Sequence, residues 1–519
     1  MLDPAPLKTA RALLRPKRRG LAAINSEIRD GIVPAAEGLS LIPTIPGQPR
    51  TEAQRNYRTV ALIIACALFM EQMDATVLAT ALPTMARDFH VPATSLSSAL
   101  TSYLLALAIF IPASGRMADR FGSKTIFRLA ILLFLAGSIL CGQATTLPFL
   151  IAARFLQGVG GAMMIPVGRL VLLRSVAKED LVQAMSWLIM PALVGPILGP
   201  PLGGFIVTYL NWRWIFYLNI PVGILGVVLV TLFIGQVRGE RPAKADFGGF
   251  VLSGISLGCL LFGFEMTSRT GELRAALVLI AIGAVAGALY IWRARGREAP
   301  ILDLTLMRVT TFRLSVIGGS LTRITQGAQP FLLPLMLQLG FGMSAAASGT
   351  ITIAGAIGSL AMKWFAPRVL KRFGFRSSLI VSGLFGSAGY AVCGLFRPAW
   401  PVAAIFGVLA LSGFFMSFQF TAYNTIAYDE IPPERMSAAT SFYATFQQLM
   451  LSLGICVGAL ALHLGMMATG RTVPLLGDFT LAFLVVTAVS ASATIWNARF
   501  SATAGDELSG RRAVARRAA

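Results

Sequence analysis

Charged side chains are scarce. Asp, Glu, Lys and Arg make up 13% of the 519 residues, against 55% hydrophobic. A water-soluble fold carries about 25% charged residues to wet its surface, so a soluble enzyme is excluded. Histidine is nearly absent, with His90 and His463 alone, too few to build a catalytic triad or a metal cluster. The five cysteines, Cys66, Cys141, Cys259, Cys393 and Cys456, are far apart inside apolar runs. That spacing suits neither zinc nor a disulfide framework, and they read as small core residues. No G-x-x-x-x-G-K-[ST] loop occurs, which disfavours an ATP-driven device. No apolar core precedes about residue 59, so no cleavable signal peptide is expected.

What is abundant is uncharged sequence of membrane length. Six such runs fall between about residues 59 and 235, two at about 247–266 and 275–292, and six more between about 311 and 497. Each is near the ~20 residues that a spanning helix needs. The expectation is an all-α integral membrane protein with about fourteen crossings: a tail over 1–57, a six-helix bundle over 58–236, two extra helices and a linker over 237–310, a second six-helix bundle over 311–497, and a basic tail over 498–519. With both tails placed in the cytoplasm, 36 of the 44 Lys and Arg fall inside and six, Arg269 and Arg274 among them, outside. This positive-inside bias also accounts for the net charge of +21 without nucleic acid. The basic stretch Arg11 to Arg19 suits a tail lying along anionic lipid or disordered; a misassigned start codon explains it equally well.

An internal repeat supports the two bundles. Gly115 to Lys124 reads GRMADRFGSK, and Pro367 to Arg376 reads PRVLKRFGFR. Arg116, Arg120, Phe121 and Gly122 recur as Arg368, Arg372, Phe373 and Gly374, at an offset that also maps the start of the first run onto the start of the ninth. Two related halves with a site between them is a transporter plan.

The chemistry lies in the few ions inside apolar runs. Glu71 and Asp74 are one helical turn apart in the first run. Each carboxylate costs about 3 kcal/mol at mid-membrane unless it meets protein, water or a cation. Neighbouring acids repel and tend to share a proton; the alternative is a buried ion pair that only orients helices. Arg154 in the fourth run and Arg323 in the ninth stay protonated and need partners. Arg154 suits the acid pair. Arg323, with Gln157 and Gln326, is a candidate for a substrate cavity, a strut between helices being the alternative for Arg323. Glu265 ends the seventh run, where a snorkelling side chain is expected. The fifth run holds VGPILGPPLGG, Val194 to Gly204, which suits either a gating hinge or very close helix packing. Trp212, Trp214 and Tyr217 stand at a helix entrance, where an aromatic belt is expected.

These motifs together resemble the major facilitator superfamily, in its fourteen-helix drug:proton antiporter branch of the EmrB/QacA type, over about residues 58–497. Met73 to Pro83 is similar to that branch's first-helix signature, with Asp74 on its membrane acid. Gly115, Asp119, Arg120 and Gly122 fall on the superfamily's loop motif. Arg154, Gln157, Gly158 and Gly160 match a fourth-helix motif linked to proton transfer. Gly195, Pro196, Gly199, Pro200, Gly203 and Gly204 match a fifth-helix antiporter motif, and Trp212 to Gly223 also looks like this branch. The resemblance implies a proton-coupled exporter of amphipathic small molecules. Its proton carriers would be Asp74 and Glu71, tuned by Arg154; a loop latch would form around Asp119, and its one cofactor would be the proton gradient. The setting would be lipid of a bacterial plasma membrane, with a periplasmic partner left open. A specific metabolite or organic-anion transporter on the same fold is the alternative.

Overall fold

The computed structural model describes residues 57–175, 181–236, 246–267, 272–297, 300–432, 435–471 and 473–509. The expected N-terminal tail with Arg11 to Arg19, the loop holding Arg269, and residues 510–519 lie outside them. No strand occurs among the described residues. In hydrocarbon the backbone must satisfy its own hydrogen bonds, and the helix does so within one segment.

The first half comprises α1 (Tyr57–Val77), α2 (Ser97–Phe121), α3 (Ser123–Gly142), α4 (Leu147–Ser175), α5 (Leu181–Tyr209) and α6 (Asn219–Phe233). A hairpin of α7 (Phe247–Met266) and α8 (Leu273–Ala294) follows. The second half comprises α9 (Thr310–Leu335), α10 (Ala345–Gly394), α11 (Val402–Ile426), α12 (Met436–Ala468) and α13 (Leu476–Ala491). Helix α10 is 50 residues long and loses helical geometry at Gly374, where φ is 73°, so its two arms cross separately. The protein is therefore a multi-pass membrane protein of about 14 crossings arranged six, two, six.

The repeat seen in the sequence is a repeat of geometry. Gly122 ends α2 at φ 94° and Gly374 breaks α10 at φ 73°, a backbone region that a Cβ disfavours. Beside each glycine an exposed Phe lies under an Arg, Arg120 on Phe121 and Arg372 on Phe373, both at 5.5 Å.

Packing differs at the two ends. At the end away from the start of α1, one continuous apolar core joins both halves, with Val77 and Ile206 packed in the same cluster as Leu335, Ala345 and Leu462. At the other end the halves have separate cores, one around Phe127 and Val167 and one around Phe312 and Phe442. The joined end is closed by backbone contact. A Cβ on Gly204 would strike the Ala345 carbonyl, and one on Gly349 the Pro200 carbonyl. Ala346 N–H donates to Thr208 Oγ1 at 3.0 Å, and Gln338 Nε2 donates to the Thr80 carbonyl at 3.0 Å.

The hairpin straddles one seam between the halves. Phe250 of α7 packs edge-on against Phe110 of α2, and Leu261 joins Leu105 of α2 and Cys456 of α12 in one cluster. Glu265 does not snorkel. It is buried at 2% exposure and accepts hydrogen bonds from Ser98 and Thr101 of α2, the latter at 2.8 Å. A hydroxyl pair within reach outcompetes the route to water for so short a side chain. Helix α8 turns Leu277, Ile282, Val285 and Leu289 outward, as a lipid-facing helix does. The segment after α8 reaches both halves: Arg116 Nη2 donates to the Pro300 carbonyl at 2.9 Å, and Arg435 pairs with Asp303 at 2.7 Å. Burial pushes the Asp303 carboxyl up, but hydrogen bonds from Thr305 and Arg435 outweigh it and hold the group below the usual carboxylate range.

Candidate functional site

Asp74 is 1% exposed and meets donors from two other helices. Arg154 Nη1 donates to Oδ2 at 2.6 Å, while Gln157 Nε2 and Asn219 Nδ2 donate to Oδ1 at 2.9 and 3.0 Å. Arg154 Nη1 also donates to Gln157 Oε1 at 2.6 Å, and its guanidinium lies 4.5 Å above the Tyr103 ring. Ser138 Oγ of α3 accepts from both amides, at 2.8 Å from Gln157 and 3.2 Å from Asn219. Small residues bring these helices close enough. Cβ atoms on Gly137 and Gly158 would meet the Gln157 backbone and the Tyr103 carbonyl respectively, so α4 touches α3 and α2 at backbone distance. With three donors on two oxygens, Asp74 has the surroundings of an anion. Glu71, also buried, does not: its Oε2 has no hydrogen-bond partner, and neither does the neighbouring Tyr103 hydroxyl.

A cavity of about 330 Å³ lies between α1 and α5 on one side and α9, α10 and α11 on the other. Thr76, Thr80, Pro196 and Pro200 line it from the first half, and Gln326, Gln329, Thr352, Ser359, Tyr390 and Phe420 from the second. Helix α1 thus carries Asp74 among the donors of α4 and α6, and Thr76 in the cavity wall.

Two expected cavity residues are elsewhere. Gln157 is fully buried in the Asp74 cluster, because its amide can bridge Asp74 and Ser138 only from there. Arg323 does not line the cavity either. It is 3% exposed, donates to the Tyr443 hydroxyl at 3.4 Å and to Gln447 Oε1 at 3.2 Å, and packs against Phe420, which does line the space. Gln326 does line it. The glycines of α5 pack against α1. Cβ atoms on Gly195, Gly199 and Gly203 would meet Gln72, Thr76 and the Val77 carbonyl, while Gly204 faces the second half. Pro196 and Pro200 sit inside a helix that runs on unbroken to Tyr209. At the loop after α2, the side-chain amide of Gln236 covers Gly122 and donates to the Phe121 carbonyl at 3.1 Å. Gly115 and Asp119, expected in a loop, lie instead in the last two turns of α2, half-buried, because the helix runs on to Gly122.

Trp212 is not part of an aromatic belt. It is 2% exposed and donates from Nε1 to Asp88 at 2.6 Å, since the short helix Leu82–Asp88 folds back over it; Trp214 is the exposed ring. Sequence reasoning passed over Asn219, Ser138 and Tyr103. Asn219 had a signal: an amide inside an apolar helix needs a buried partner.

Residues 64–455 match the family model described as Major Facilitator Superfamily. The chain belongs to that superfamily. Among its members, proteins named multidrug resistance protein MdtD from Cronobacter sakazakii and Klebsiella pneumoniae are each 37% identical to this chain, covering 79% and 80% of it and 88% of their own length. The transport protein HsrA of Haemophilus influenzae is 36% identical over 80% of this chain and 89% of its own. Solved structures of superfamily architecture superpose at low identity. The peptide-family transporter PepTSo does so with a TM-score of 0.63 at 13% identity, covering 89% of this chain and 99% of its own. The nucleoside transporter NupG reaches 0.61 at 16%, covering 87% and 100%. At that identity the likeness speaks for the major facilitator fold alone.

Proposed function

We propose that the protein exports amphipathic small molecules across a bacterial plasma membrane, tails on the cytoplasmic side, in exchange for protons and by alternating access between its halves. The observation that carries this reading is Asp74, buried and hydrogen-bonded by Arg154, Gln157 and Asn219 on the same helix that walls the central cavity. Protonation removes the charge these donors hold, and α1 is then released from α4 and α6. Since Thr76 moves with Asp74, proton binding and cavity shape are linked. Glu71 is the assisting acid, and Arg154 the fixed cation paired with Asp74. The names of the MdtD relatives support the cargo class.

The close contact of α5 with α1 and with Ala345 makes Gly195 to Gly204 the sliding surface of the switch. Gly115, Asp119, Arg120 and Gly122 form a latch at the end where the two cores are separate. Energetics allow the exchange: one proton crossing 100 mV supplies about 2.3 kcal/mol, enough for a roughly fiftyfold gradient of a neutral solute. The organic-anion alternative rested on Arg323 in the cavity, and Arg323 is buried and not among the lining residues.

The test is substrate-induced proton release from purified protein, with a panel of amphipathic dyes. Asp74→Asn is expected to abolish release and gradient-driven accumulation while leaving dye binding measurable. Undiminished release would remove Asp74 from the mechanism.

A further inference from the structure

Among the described residues, no charged side chain lines the cavity between the halves. The buried ions on the helices around it are arranged unequally, and on the second-half side Lys363 of α10, one turn from Ser359, donates to Thr421 Oγ1 at 3.0 Å. On the first-half side Asp74 is neutralised by Arg154, and Glu71 lies beside Tyr103 of α2, away from the lining. On the second-half side Arg323 is buried against Phe420, its Cζ 5.4 Å from the ring centroid. It is held by a phenol and an amide, its Nε has no hydrogen-bond partner, and no carboxylate pairs with it among the described residues. The cavity therefore adjoins an uncompensated positive charge.

The polar lining has its own pattern. Thr76, Thr80, Thr352 and Ser359 each donate their hydroxyl hydrogen to a carbonyl of their own helix, at 2.9–3.2 Å. The Thr76 and Thr80 hydroxyls pack against Gly199 and Gly203 of α5, whereas Thr352 and Ser359, partly exposed, keep oxygen lone pairs available as acceptors. Gln329 Oε1 is taken by the Tyr390 hydroxyl, so the Gln329 amide N–H groups are what it can offer. The wall thus presents acceptor oxygens and amide donors on an otherwise apolar surface.

We propose, building on the exporter reading above, that this cavity selects uncharged amphipaths bearing hydroxyl or amide groups and rejects permanent cations. A cation leaving water needs a carboxylate or an open aromatic face. The lining supplies no carboxylate, and of its two rings Phe420 packs against the Arg323 guanidinium while Tyr390 is buried with its hydroxyl on Gln329. A neutral molecule loses little on entry and gains hydrogen bonds on both sides of its polar head. An anion would find only the neutral amide donors of Gln326 and Gln329 in the lining, with no cationic side chain there to replace its hydration.

The experiment uses the full-length protein in lipid nanodiscs and three probes that share one dansyl fluorophore and a six-carbon chain. The probes end in hydroxyl, trimethylammonium or sulfonate, and binding is read against empty nanodiscs. The hydroxyl probe is expected to bind at least tenfold more tightly than either ion. Gln329→Leu should weaken it about tenfold, and Arg323→Gln should narrow its lead over trimethylammonium. The ranking in unaltered protein decides the matter without any variant. Trimethylammonium or sulfonate binding as well as hydroxyl overturns the selectivity, and so does a failure of all three to bind. Proton release provoked by the best binder is followed in parallel. If hydroxyl wins but releases no proton, the cavity assignment stands and the coupling falls; if a cation wins and releases protons, the reverse holds.

Discussion

At the scale of single residues, the Asp74 cluster works by counting donors. Removing one of three charge-assisted hydrogen bonds costs about 1.5–3 kcal/mol, a factor of roughly ten to a hundred. Asn219→Leu is therefore expected to lower proton-driven transport at least tenfold in reconstituted vesicles while leaving dye binding within about twofold. Asp303, outside the spans, gives a separate test. Its carboxyl is held low in the folded protein, so the pair with Arg435 stabilises the fold above the unfolded carboxylate value of ~3.9 and loses that contribution as pH falls through the folded value. Asp303→Asn should lower the melting temperature at pH 7, and the gap should close in strongly acidic buffer. Asp74, Arg154 and Gln157 could be picked from the chain because ions and amides inside apolar runs demand explanation. Their mutual placement could not. Gln157 was expected in the cavity, and nothing in the spacing reveals that Ser138 meets Gln157 or that Asn219 turns toward Asp74.

Among the elements, the two positive-φ glycines allow a direct comparison. Gly122→Ala and Gly374→Ala each place a Cβ in a left-handed backbone that costs about 1 kcal/mol, and the Gly122 change also collides with Gln236. Both should lower thermal stability, Gly122→Ala the more, measured as the unfolding temperature of solubilised protein. The repeat was legible because four residues of the motif recur, and the structure adds the Arg-on-Phe stacking that they build. Nearly every crossing was legible too, since lipid tolerates little besides apolar helix. The end of α7 was not. Position alone suggests that Glu265 reaches for water, whereas its fate is decided by Ser98 and Thr101 on another helix.

For the whole molecule, the joined core at one end and the parted cores at the other describe a transporter closed at the end away from the start of α1. The closure depends on glycines set against carbonyls, at Gly204 on Ala345 and Gly349 on Pro200. A larger side chain there acts as a wedge. Gly349→Val should shift the population toward the state open at that end, read as severalfold faster labelling of a cysteine placed at Gln338 by a membrane-impermeant thiol reagent. The same change should slow net export, because the closed state is visited less often. This asymmetry has no signature along the chain, which defines two similar halves but not the angle between them.

The seating of Glu265 bears on how the protein is made. Its hydroxyl donors belong to a helix synthesised 164 and 167 residues earlier, so a ribosome delivers this acid into a bilayer where its docking place already waits. The hairpin is then an insertion that depends on the first half as its template. Spliced alone into an unrelated membrane protein, it would carry an acid without its hydroxyl pair and should integrate poorly, whereas Glu265→Leu should let it insert anywhere and hold it nowhere in particular.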